Sequence, residues 1–153
     1  MKTLLLVCAL CQIALVTADA VCATACQTAV SSNEFSGISI AEDYYSALCR
    51  NVLQVKSIFV CMQKYCPANE IREGWESLDQ SCYADGGVNL LPWSIVDDVA
   101  EAEVKSWPVL TDEDRQVGTS FNTSASVDQV LFDFAYTTMY DWDHQLITQK
   151  HYG

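Results

Sequence analysis

The sequence predicts an all-α fold: a small helical domain stapled by disulfides and followed by an acidic, aromatic helical tail. Three observations predict it. Cysteines at 22, 26, 49, 61, 66 and 82 follow a C-x3-C-x22-C-x11-C-x4-C-x15-C spacing, an even set behind a secretion-type leader, which reads as a disulfide framework. Apolar residues recur at helical intervals, with Ile71, Trp75, Leu78 and Cys82 at i, i+4, i+7 and i+11. No stretch between Val21 and Gly87 alternates apolar and polar residues for long enough to predict a strand.

The leader comes first. Met1-Lys2 is a positive start, Leu4 to Val16 an apolar run, and Ala18-Asp19-Ala20 places small residues before a cleavage point at Val21. The run is shorter than the ~20 residues a membrane span needs, so residues 1–20 are expected to be a signal peptide. Cys8 and Cys11 leave with it, which turns eight cysteines into six. The mature chain is therefore expected in the secretory pathway, at the cell surface or outside the cell. A cytosolic zinc site is the weaker reading of the cysteines, because zinc-type Cys-x2-Cys pairs and a neighbouring His are absent from the cluster.

Removing 20 of the 153 residues leaves 133, enough for one domain and a tail. The formal net charge is −12, which argues against nucleic acid or an anionic membrane as a partner. Half of the residues are hydrophobic, which excludes a disordered acidic tract.

In chain order, Val21 to Val30 is a first helix with Cys22 and Cys26 on one face, and 31–40 is a loop. Ile40 to Arg50 is a second helix, with Glu42 and Asp43 in its first turn. The third helix opens at Gln54 or Ser57 and runs to Cys66, where Pro67 stops it. Asn69 caps a fourth, Glu70 to Tyr83, which Asp85-Gly86-Gly87 ends with a left-handed cap. These elements make up a cysteine-rich domain, 21–87. The stretch 88–126 follows: an acidic helix from Trp93 to Trp107, a helix start at Thr111-Asp112-Glu113-Asp114, and a flexible link from Thr119 to Ser126. The link holds Asn122-Thr123-Ser124, a glycosylation acceptor. Residues 127–153 form an amphipathic aromatic helix, read as leading toward a membrane segment beyond Gly153.

These residues, taken together, resemble a family. Cys22-x3-Cys26, Asp43-Tyr44-Tyr45-Ser46-Ala47-Leu48-Cys49, Leu53 to Ile58, Cys61-x4-Cys66, Gly74-Trp75-Glu76-Ser77-Leu78, Cys82 and Leu90-Leu91-Pro92 are similar to the extracytoplasmic N-terminal region of fungal ferric-chelate reductases. Thr148 to Gly153 is similar to the segment that leads those proteins into their first membrane helix. The resemblance implies a role in iron uptake, with the membrane part of a reductase as partner and iron chelates as what the assembly handles. It also implies haem, FAD and NADPH in the parent. Paired membrane histidines hold the haem of such proteins, and a glycine-rich strand–helix turn holds the nucleotide. This chain has His144 and His151 outside any membrane-length run and no such glycine-rich turn. It is therefore expected to hold no cofactor, to be non-catalytic alone, and to be either truncated before the membrane or a free-standing outer domain. The alternatives are a secreted cysteine-rich module that binds haem, a siderophore or a host partner, and a structural or host-interaction protein whose asset is a protease-resistant core.

Two clusters admit a metal reading. Asp97, Asp98, Glu101 and Glu103 on a helix could hold a hard cation, and Asp141-Trp142-Asp143-His144 a weaker site. Solvated helix surface is the favoured account of both, and no metal, cofactor or catalytic residue is assigned. Trp75, Trp93, Trp107 and Trp142 are read as core or interface anchors. For the disulfides, six cysteines allow fifteen pairings. Antiparallel first and third helices join outer to outer and inner to inner, giving Cys22–Cys66 and Cys26–Cys61, with Cys49–Cys82 remaining. The five-residue step from Cys61 to Cys66 turns by about 140° on an ideal helix, so Cys66 is expected in a distorted last turn.

Overall fold

The computed structural model describes residues 20–37 and 43–151, with side chains up to residue 145. The leader with Cys8 and Cys11, the helix start at Ile40 and Glu42, the side chains of Leu146, Ile147 and His151, and Tyr152-Gly153 lie outside the described residues.

The fold is mostly helical. Its helices are α1 (Val21–Ser31), α2 (Tyr44–Arg50), α3 (Val52–Tyr65), α4 (Ala68–Ala84), α5 (Glu101–Val104), α6 (Asp112–Val117) and α7 (Gln129–His151), with a 3-10 turn at Trp93–Val96. Among the described residues, four two-residue strands join distant segments in parallel pairs: β1 (Glu34–Phe35) with β3 (Ser120–Phe121), and β2 (Val109–Leu110) with β4 (Ser126–Val127). Such short pairs are latches, too small to form a sheet core.

Helix α1 is the centre of the molecule. Cys22, Ala23, Ala25, Cys26, Ala29 and Val30 are all buried, and α3, α4 and α7 pack around it. Small side chains let three helices approach it at once, and alanine gives up little rotamer freedom when buried. α3 supplies the bulk of the core through Val55, Ile58, Phe59 and Met62.

Helix starts follow side-chain caps, which moves several of the expected boundaries. Asp43 is the N-cap of α2 and not part of its first turn; its carboxylate accepts from Ser46 N at 2.9 Å. α3 begins at Val52, ahead of Gln54 and Ser57, because the Asn51 side chain accepts from the amides of Leu53 and Gln54 at 3.1 and 3.2 Å. α4 begins at Ala68 with Pro67 at the N-cap position, so Asn69 lies inside the first turn. At the far end Gly87 has φ +63°, and a Cβ at Gly86 would meet Ser46 N at 2.7 Å.

Three disulfides pin this frame. Cys22–Cys66 and Cys26–Cys61 each have Cα atoms 5.6 Å apart, and Cys49–Cys82 has 6.0 Å. Cys66 reaches Cys22 because it stands just beyond α3 with extended backbone, φ −100° and ψ 145°. Pro67 favours that conformation in the residue before it. Bridges of this kind fit a chain that matures in an oxidising compartment.

The second half departs from expectation in two places. The single helix expected over 93–107 is broken into the 3-10 turn, a bend at Asp97–Asp98 and the one-turn α5. Residues three apart eclipse in a 3-10 turn, so Trp93 can stack on Phe59, with centroids 4.6 Å apart, while Val96 is buried. A continuous helix would swing Val99 away from that face. The expected flexible link, 119–126, is pinned. Phe121 packs on Phe35 at 5.7 Å, and Ala125 is buried with its N–H donating to Ser57 Oγ at 2.9 Å.

The start at Thr111 is a full capping box with Asp114, and Gly118 (φ +69°) closes α6. Leu131, Phe132 and Ala135 of α7 join the same core as the cysteine-bearing helices. One core thus spans residues expected as domain, linker and tail.

Candidate ligand cleft

The interruption of the expected helix between the 3-10 turn and β2 leaves a cleft against α3. Val60 on α3 forms its floor, and Val99, Val104, Trp107 and Val109 form its apolar walls. Its volume is about 620 Å³, within the range of small-molecule sites. Helix α3 places Lys64 one turn beyond Val60, on the same side. Lys105, the C-cap of α5, also lines the cleft, one turn after Glu101.

The polar geometry of the rim is defined. Lys105 Nζ lies 2.7 Å from Glu101 Oε1. That hydrogen bond, and then the lysine's charge, holds the Glu101 carboxyl below the usual glutamate value. Lys64 Nζ donates to the carbonyl of Val127 at 3.1 Å and lies 4.6 Å from the Tyr65 ring centroid. Two ammonium groups and one carboxylate thus border an apolar hollow. The cleft can hold a molecule with an apolar body and an anionic end.

Of the residues singled out in the sequence, Glu101 and Trp107 line the cleft and the others fall elsewhere. The six cysteines are bridged and hold the core. Asn122 is exposed between β3 and β4, while Ser124 of the same triplet is buried. Asp97, Asp98, Glu101 and Glu103 are all exposed but do not share a helix, so the expected acidic face is a correction: only Glu101 and Glu103 lie on α5. Asp141, Trp142 and His144 are exposed near the described end of α7, with the His144 ring 3.9 Å from that of Tyr140. Among the described residues, no group of three or more His, Cys, Asp or Glu side chains is arranged to hold a metal ion. No helix of the described residues is long and apolar enough to cross a membrane.

The tryptophans separate by role. Trp93 stacks in the core and Trp107 lines the cleft, whereas Trp142 is 66% exposed. Trp75 packs against the core with its Nε1 buried and unpartnered. On α7, Phe132, Tyr136 and Tyr140 stand four residues apart and run from the half-buried Tyr65 to His144 at the surface. Successive centroids are 4.2, 5.8, 6.4 and 3.9 Å apart. Sequence reasoning missed the cleft. Lys64, Lys105, Trp107 and the valines carry no mutual spacing signal, because an interrupted helix and a parallel strand pair bring them together. No family model, no curated protein and no solved structure matches the chain.

Proposed function

We propose that the chain is the extracytoplasmic N-terminal part of a ferric-chelate-reductase-like protein of iron uptake, a folded outer domain without electron-transfer machinery of its own. One observation carries this reading: the residues through which the sequence resembles that family are the ones that hold this domain together. Its cysteines form the three bridges. Gly74 lets α4 close on Ala23, Asp43 caps α2, and Leu90 is buried with its N–H donating to Asp79 at 3.2 Å. A shared scaffold is what such a resemblance would preserve. In this reading the partner is the membrane part of the reductase, which would carry haem, FAD and NADPH, and the assembly acts on iron chelates.

An antibody raised against the folded domain tests it in the source cells. A membrane-bound product well above the 17.0 kDa of this chain is expected, together with loss of surface ferric-chelate reduction when the domain is deleted. A secreted product of about this mass, with surface reduction unchanged, overturns it. That outcome selects the second reading, a secreted cysteine-rich binding module, which the cleft beside Trp107 favours.

A further inference from the structure

The geometry points to the cleft between α3 and residues 99–109 as a binding site for a small organic anion with a flat apolar body, such as an aromatic carboxylate or sulfonate. This goes beyond the reading above and does not depend on it. Three features converge. The first is size: about 620 Å³ accommodates a ligand of two or three fused or linked rings. The second is the wall: Val60, Val99, Val104 and Val109 together with the Trp107 indole form an apolar surface on which a ring can pack.

The third is charge. The chain carries a formal net charge of −12, yet this cleft is bordered by Lys64 and Lys105 against one carboxylate, Glu101. Each ammonium has three N–H donors. Glu101 engages Lys105, and the Val127 carbonyl and the Tyr65 ring engage Lys64, which leaves N–H donors on both for a ligand. A neutral ligand would use the wall and leave these donors to water. An anion uses both. Asp98 and Glu103 adjoin Val99 and Val104 in the chain but do not line the cleft, and repulsion from acids beyond ~8 Å is screened at physiological salt.

The test is a titration of the disulfide-intact secreted chain with anilinonaphthalene sulfonate, followed by its fluorescence. Saturable binding at one site per chain is expected, weakening as salt is added. Val109 is half exposed, so Val109→Trp fills the cleft while leaving the backbone pairing of β2 in place, and it should weaken binding at least ~10-fold. Lys64→Gln and Lys105→Gln should each weaken it about three- to fivefold, the scale of a partly exposed ion pair. The neutral N-phenylnaphthylamine should bind the parent less tightly than the sulfonate, and the double lysine variant should erase that preference. Thermal melting establishes that each variant is folded. Should Val109→Trp not fold, the surface change Lys105→Gln decides alone. The exposed patch of Val130 and Phe134 on α7 is the competing site. Binding that survives Val109→Trp but is lost in Phe134→Ser, or that ignores both lysines, or that is absent from the parent, overturns the assignment.

Discussion

Gly74→Ala should destabilise the protein, although alanine is the better helix former. A Cβ built at Gly74 lies 2.0 Å from the Cβ of Ala23, 3.5 Å from its Cα and 3.7 Å from the Cβ of Ala20. Methyl groups in contact lie ~3.5–4.0 Å apart, so α4 must retreat from α1 by more than an ångström. Retreat is resisted at both ends of the interface: Cys22 N donates to Glu70 Oε2 at 3.1 Å near the start of α4, and Cys49–Cys82 ties its end to α2. Overpacking of this kind costs about 3 kcal/mol, and the helix-propensity gain of alanine over glycine returns about 1. The net loss is then about 2 kcal/mol, or roughly 8 °C in melting temperature for a chain of this size. Ala23→Gly alone loses about 2 kcal/mol, from propensity and one buried methyl. Together the two changes exchange one methyl across the interface, and the double variant should return to within about 0.5 kcal/mol of the parent. Urea melts of the four proteins with disulfides intact, followed by circular dichroism, measure this coupling. A Gly74→Ala variant as stable as the parent, or a double variant with additive losses, would refute the close-approach argument.

Replacing Cys49 and Cys82 by serine opens a loop of sequence separation 33 and should cost about 3–4 kcal/mol, read as a lower urea midpoint. Thr111→Ala removes the hydroxyl that accepts from Asp114 N at 3.3 Å and donates to its carboxylate at 2.7 Å, and should cost about 1 kcal/mol. The Asp114 carboxyl is held below its usual value, first by the Thr111 hydroxyl. Its contribution to stability is therefore present above the unfolded value of about 3.9 and lost as pH falls through the lowered folded value. The stability gap between parent and Asp114→Asn should be constant above about pH 5 and close below about pH 4; a gap unchanged down to pH 2 contradicts it. Asn122→Gln should raise the gel mobility of the chain when it is made in a fungal secretory pathway. Because Ser124 is buried once 121–127 docks, the refolded unglycosylated chain should be a poor acceptor for a glycosyltransferase that reads the whole triplet.

Much of the frame was legible because its signals are local. Cysteine spacing, the 3.6-residue recurrence of Ile71, Trp75 and Leu78, the capping sequence at Thr111 and the Pro67 stop act within a turn or two of chain, where sequence distance and spatial distance nearly coincide. The antiparallel placing of α1 and α3 was legible too, since two cysteines on α1 and two at the end of α3, one on it and one just beyond, leave few ways to face one another. Asn51 shows the limit of such reading: Gln54 and Ser57 looked like helix starts, but the cap that also donates to Ser36 O at 3.1 Å set the boundary.

By itself, then, the sequence determined a disulfide-stapled helical domain, because local propensity and covalent bridging need no distant partner. Tertiary structure alone decided the fate of residues 93–127. Trp93 stacks on Phe59, Ala125 binds Ser57 sixty-eight positions away, and the Val109–Ser126 register closes the last pairing. These contacts break an acidic helix, pin a polar link and open the cleft that carries Lys64 and Lys105. Each joins segments far apart in the chain, whose meeting is set by what remains to be covered on α1 and α3 and not by any spacing within the segments themselves.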